Sequence, residues 1–233
     1  MRAVLLFILA IIAAPAFAQV GGDVPQNPAL MRIHDDLRAR AQLWGDFERG
    51  LAKVKSPKPY AGLYFEECGR ANAFFDLKTK KIVVCYEMAH DAARKAGAGG
   101  QGAAGYILFV ILHEYGHALI HAAKTPPLGR EEDAADQIAA ILLKKMGSMQ
   151  PVVHDMMQTS WAPKANENKI SPSDMADEHS LTPQRRANVI CWGGDYAMID
   201  AAVRARILNP HRANKCAAES EQAEAAVKAL ILQ

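Results

Sequence analysis

Apolar residues recur at helical spacing from Leu30 through Ile33, Leu37 and Ala41 to Trp44, and Gly45, Gly50 and the Pro57/Pro59 pair then end the pattern. The period changes next. Tyr60–Glu66, with Leu63, Tyr64 and Phe65, reads as a strand. Asn72–Asp76 and Lys81–Glu87 flank the polar segment Leu77–Lys80, and Ile82 to Tyr86 are β-branched or aromatic, so this stretch reads as a hairpin. A glycine-rich loop from Gly97 to Gly102 leads into a helix expected over roughly 103–123. Pro126, Pro127 and Gly129 break the chain before a second helix from about Glu131 to Met146, closed by Gly147. Further helices are expected near 151–161, 182–191 and 217–231, with a long polar loop over 162–176. The order is helix, strands, helices, which describes an α+β domain with segregated elements.

One apolar stretch stands apart. Residues 1–18 are apolar except for Arg2 and Pro15, and Ala16-Phe17-Ala18 fits a small-x-small cleavage site. These features predict a cleavable signal peptide over 1–18 and a periplasmic or secreted protein without stable membrane insertion. Gly21, Gly22, Pro25 and Pro28 make 19–29 read as a flexible leader, with a single domain over 30–233. The remainder is long enough for a substantial core. The net charge of +2 leaves no electrostatic footprint for nucleic acid.

Cys68, Cys85, Cys191 and Cys216 are an even set in an exported chain and read as disulfides. Four cysteines allow three pairings. Cys68–Cys85 with Cys191–Cys216 closes the shortest loops within one region each. No CxxC spacing favours a cysteine metal site.

Chemistry concentrates at His113-Glu114-Tyr115-Gly116-His117, an HExxH motif. On a helix, histidines four residues apart share a face and can reach one metal ion, and Glu114 beside them can take a proton from water activated there. Tyr106–Leu112 is apolar on all sides, so this helix should be central, and buried histidines there need a partner. A glycine at 120 and a histidine at 123, which another class of zinc sites uses, are absent: Ile120 and Ala123 stand there. The third ligand must come from elsewhere. Glu132 and Asp136 share a face of the next helix, continued by Ala135, Ala139 and Leu143. Glu132 is assigned as the third ligand, and Asp136 as the acceptor for the free ring N–H of a ligand histidine. Glu131 and Asp133 are accounted for by the preference for acids at a helix N-terminus. His121 is read as lying behind the ligands or exposed to solvent. The cofactor expected is Zn2+, although such ligands also accept other divalent ions.

HEYGH followed by Glu132, Ala135 and Asp136 resembles the gluzincin-type metallopeptidases, whose second motif is Glu-x-x-Ala-Asp in the HtpX and CaaX-protease group. More closely, the chain resembles a bacterial family of exported metallopeptidase-like proteins of uncharacterised function. The matching stretches are Glu67-Cys68-Gly69, Asn72-Ala73-Phe74, Val84-Cys85-Tyr86-Glu87, the block from HExxH to Asp136, Asp177-Glu178-His179-Ser180-Leu181, Gln184-Arg185, Asn188 and Cys191-Trp192. Arg186 departs from the pattern, where an aromatic is expected. The resemblance implies a zincin-like fold. For His179, six residues before Arg185, it implies a catalytic hydrogen bond to the oxyanion, the other reading being a helix-entry histidine bonded to a neighbour. By the same resemblance, the strand Lys81–Glu87 forms the cleft rim and pairs with an extended peptide, with Cys85 holding it rigid.

The reading that follows is a zinc peptidase acting on a peptide or protein substrate, with Glu114 activating water. Its alternative is an exported zinc-binding module without turnover, in a binding or inhibitory role. A structural helical domain with a chance HExxH is disfavoured by the paired Glu132 and Asp136.

Overall fold

The structure, a computed structural model, describes residues 20–39, 49–52, 59–97, 103–124, 127–159, 161–162 and 169–231. The expected signal peptide lies outside these residues. Within them the chain is α+β, mostly helical, with a small mixed sheet.

Strands β1 (Val20–Gly22), β2 (Gly62–Glu66), β3 (Ala73–Phe75) and β4 (Lys81–Cys85) lie in the spatial order β1-β2-β4-β3. β1, β2 and β4 run parallel, with Leu63 opposite Val20 and Ile82. β3 returns antiparallel along β4 with Phe74 opposite Val83, which is the expected hairpin. β4 is covered on both faces, and its run of Ile82, Val83, Val84 and Cys85 is buried throughout. Because β4 sits inside the sheet, the expectation that it forms the cleft rim is corrected. Its hydrogen-bonding edges are taken by β2 and β3, and β3 is the strand at the margin.

To reach β3 from β2 the chain must cross the end of β4. Cys68 lies on that crossing and Cys85 ends β4. Their sulfurs are 2.03 Å apart, so the disulfide fastens the crossing to the strand. Glu87 completes the fastening by accepting the backbone N–H groups of Cys68 and Gly69, at 3.1 and 2.5 Å. Gly69 has φ +73, a backbone shape that glycine adopts without strain. Cys191 and Cys216, with sulfurs 2.08 Å apart, tie two later helices together. Each bridge closes a loop that contributes on the order of 3 kcal/mol. The two pairs are those favoured by loop length, and they point to an oxidising, exported environment.

Residues 20–29, read from sequence as flexible leader, are docked. Besides the pairing of β1, the backbone N–H groups of Gln26 and Asn27 bond Glu67, and the Tyr86 hydroxyl donates to the Asp23 carbonyl at 3.0 Å.

Helix α1 (Pro28–Ala39) buries Leu30 and Ile33 as the spacing predicts. Helix α2 (Tyr86–Lys95) follows β4 directly. The centre of the fold is α3 (Ala103–Ala123), with Phe109, Leu112, Tyr115 and Leu119 at most 1% exposed. It is long and apolar enough to cross a membrane by length and composition, but most of it is buried within this fold. α4 (Glu131–Met146) packs along α3. It starts with three acids, ends with Lys144 and Lys145, and stops at Gly147 (φ 74), as helix-dipole and C-cap rules favour. α5 (Met149–Met156) packs on α3 and α4. Helix α6 (Pro172–Ala176) interrupts the expected long loop. α7 (Thr182–Gly193) packs on α4. α8 (Tyr196–Arg204), α9 (Pro210–Ala213) and α10 (Cys216–Ile231) complete the described residues, α10 packing on α7 and α4.

Candidate metal centre

The second half of α3 faces two neighbours, α4 and the marginal strand β3. The approach to α4 is close because Gly116 meets Ala135. A Cβ on Gly116 would stand 3.0 Å from the Ala135 Cα. Small residues therefore bring these helices together, Gly116 from α3 and Ala135 from α4. This contact sets the first turn of α4 beside the HExxH segment.

Three donor groups converge there. His113, His117 and Glu132 each bring a ligand atom within 4.8 Å of the others. His113 Nε2 lies 3.2 Å from His117 Nε2 and 2.9 Å from Glu132 Oε2, and His117 Nε2 lies 3.4 Å from Glu132 Oε1. The far side of each ring is also held. His113 Nδ1 is 2.8 Å from Asp136 Oδ1, and His117 Nδ1 is 2.8 Å from Glu131 Oε1. Each Nδ1 thus has a carboxylate to which it donates, which leaves the two Nε2 lone pairs and the Glu132 carboxylate aimed at one small volume. Acceptors do not gather this way without a cation or a proton between them. Tetrahedral ligation at about 2.0–2.1 Å separates ligand atoms by about 3.3 Å, close to the spacings observed. The donor set fits a divalent metal.

Without a metal, protons do the neutralising. Burial opposes the charged form of His113, but its hydrogen bonds to Asp136 and Glu132 outweigh it and raise the group from 6.5 to about 9. Burial also opposes charge on His117, and again the carboxylates outweigh it. Burial resists the charge on Glu132, yet its bonds to His113, His117 and His179 hold it far below the usual carboxylate range. Asp136 is 1% exposed and is held low chiefly by Arg185 against the cost of burial. Arg185 grips it bidentately, with Nε 2.7 Å from Oδ2 and Nη2 2.8 Å from Oδ1.

Glu114 lies on the β3 side of α3 and is 7% exposed. Burial pushes its carboxyl up, and the charges of His113 and His117 pull against that rise. Its carboxyl also accepts the backbone N–H of Phe75. Asn72 and Asp76 bond inward to Cys85 and Lys81 of β4. By alternation Ala73 and Phe75 turn their backbone groups outward, toward the site.

His179 arrives on the segment before α7. Its Nε2 lies 2.9 Å from Glu132 Oε2 and its Nδ1 3.1 Å from Asp177 Oδ1. Its bond to Glu132 raises its pKa, against burial. Arg130 Nη1 holds the His179 carbonyl at 2.8 Å, and the Ser180 hydroxyl donates to Asp133 Oδ2 at 2.9 Å. His179 thus touches the site but stands outside the three-ligand cluster. A cavity of about 380 Å3, lined by His179, Arg185, Leu181 and Lys169 among others, opens beside it. Arg186, the departure noted in sequence, is 3% exposed and donates through Nε to the Trp161 carbonyl at 2.8 Å.

The structure therefore brings His113, Glu114, His117, Glu132, Asp136 and His179 together. It adds contacts the sequence reading did not assign: Glu131 on His117, His121 on Glu131, and the Phe75 backbone on Glu114. One signal was available, since His121 continues the spacing of His113 and His117 on one helix face. No curated protein and no solved structure matches the chain. A family model does, over residues 36–231, and the chain belongs to that family, DUF4344, described as putative metallopeptidase.

Proposed function

We propose that the protein is a zinc-dependent peptidase of zincin-like build, working in the periplasm or outside the cell on peptide or protein substrates. The observation that carries this reading is the meeting of three acceptor groups, His113 Nε2, His117 Nε2 and the Glu132 carboxylate. Each histidine is oriented from behind by a carboxylate, and no fourth protein ligand joins the cluster among the described residues. Three ligands with an open position suit a catalytic site, whereas a structural site closes with four.

His113, His117 and Glu132 would hold the zinc, which would supply Lewis acidity at a scissile carbonyl and make a water easier to ionise. Glu114 would take the proton from the attacking water and pass it to the leaving amine nitrogen. Its burial suits a group that must first accept and then release a proton. His179 Nε2 donates to the carbonyl oxygen as negative charge develops there, exchanging its bond to Glu132 for one to substrate. Asp136, clamped by Arg185, keeps the His113 ring in register. An extended peptide adds to the outward edge of β3 through Ala73 and Phe75. The Phe75 N–H that now bonds Glu114 would turn to the peptide as Glu114 turns to water.

The test is cleavage of a broad peptide library by the zinc-loaded protein and by Glu114→Gln. Cleavage by the wild type, lost by at least about 1000-fold in the variant, supports the peptidase reading. Metal bound by both proteins with cleavage by neither would replace it with an exported zinc-binding module without turnover.

A further inference from the structure

The two histidines of the cluster are supported differently. Behind His113 stand Asp136, which is buried, and then Arg185, whose side chain is 18% exposed. Behind His117 stands Glu131, whose Oε1 lies 2.8 Å from His117 Nδ1 and 3.2 Å from His121 Nε2. The side chains of Glu131 and His121 are 34% and 37% exposed. The His121 ring in turn stacks on Phe75, with centroids 6.3 Å apart and planes at 29°. His113, His117 and His121 follow one another at four-residue steps on α3, so the outer support is built on the same helix face as the ligands.

We propose that Glu131 and His121 are positioning residues for His117: Glu131 fixes the ring by accepting its Nδ1–H, and His121, seated on Phe75 of β3, holds the Glu131 carboxylate in place. This rests on the metal reading above. A single oxygen, Glu131 Oε1, receives both rings, so Glu131 cannot follow one without losing the other. A preference for acids in the first turn of a helix explains why an acid sits at 131, but not why it faces two imidazoles. Asp133, two positions on in the same turn, bonds Ser180 instead. The support also links the site to the strand that would receive a peptide, since Phe75 carries both the His121 stack and the N–H bonded to Glu114.

Cobalt(II) reports the geometry of its ligands through visible absorption, and its affinity can be measured by chelator competition without any substrate. The proteins compared are wild type, Glu131→Ala, Glu131→Gln, His121→Phe, His121→Gln and Asp133→Ala, each checked for folding by circular dichroism. The expected result is affinity lower by about 10- to 100-fold with an altered spectrum in Glu131→Ala. Glu131→Gln should recover most of the affinity, because the amide oxygen still accepts from Nδ1. His121→Phe keeps the stack on Phe75 but loses the Nε2 contact and should weaken binding several-fold. His121→Gln, which retains a nitrogen near that position, should reverse the loss. Asp133→Ala should match wild type. Wild-type affinity and spectrum in Glu131→Ala would overturn this proposal while leaving the metal reading intact. Failure of the wild type to bind cobalt or zinc would overturn both.

Discussion

Gly116 and Ala135 meet so closely that the helices carrying them could not keep this separation with a side chain at 116. The contact places Glu132 opposite His113 and His117, so packing and metal chemistry depend on the same glycine. Alanine at 116 would gain about 0.8–1 kcal/mol in helix propensity. The atom it meets is backbone and cannot rotate away, and overpacking of this kind costs about 1–3 kcal/mol. Gly116→Ala should therefore lower the melting temperature of the metal-free protein and weaken zinc binding. Thermal denaturation and chelator competition measure both. A raised melting temperature with unchanged zinc affinity would show that the helix contact is looser than described.

Glu132 and Asp133 are neighbours of identical charge with different tasks. Glu132 faces both histidines, while Asp133 holds the Ser180 hydroxyl. Glu132→Ala should lose zinc almost completely in equilibrium dialysis, and Asp133→Ala should retain it. Equal loss in the two variants would mean that the third ligand has been misassigned.

His179 contacts the cluster through Glu132 but is not among its ligands. Its substitution should separate catalysis from metal binding. His179→Ala is expected to lower kcat by about 100- to 1000-fold, the range for loss of one oxyanion donor, with KM changed far less. Zinc content should stay at the wild-type level. Steady-state kinetics on any peptide found to be cleaved decide this, and an unchanged kcat would remove His179 from the catalytic roles.

Much of this arrangement can be read from the chain alone, for physical reasons. α3 and α4 announce themselves through continuous apolarity, charged ends and the glycine at 147. The β3–β4 hairpin follows from β-branched residues around a polar turn, and the cysteine pairing follows from loop length. The convergence of Glu132 and Asp136 on His113 needs only helical periodicity and the small residues between the helices. Strand order is different. Nothing local tells that β4 lies inside the sheet and β3 at its margin, and the resemblance alone points to Lys81–Glu87 as the rim. β1 is three residues, two of them glycine, and carries no pattern of its own. α2 was hidden because Tyr86 and Glu87 continue the strand-like run before them. Glu131 is not legible as a partner of His117 because an acid at that position already has an ordinary explanation.

The proposed chemistry depends first on a metal at His113, His117 and Glu132. The most direct test is metal analysis of the protein after dialysis against zinc and removal of the excess, for wild type and Glu114→Gln together. One zinc per chain in both is the predicted result, because Glu114 neighbours the ligands without being one. Wild-type protein that retains no zinc, cobalt or other divalent ion would contradict it.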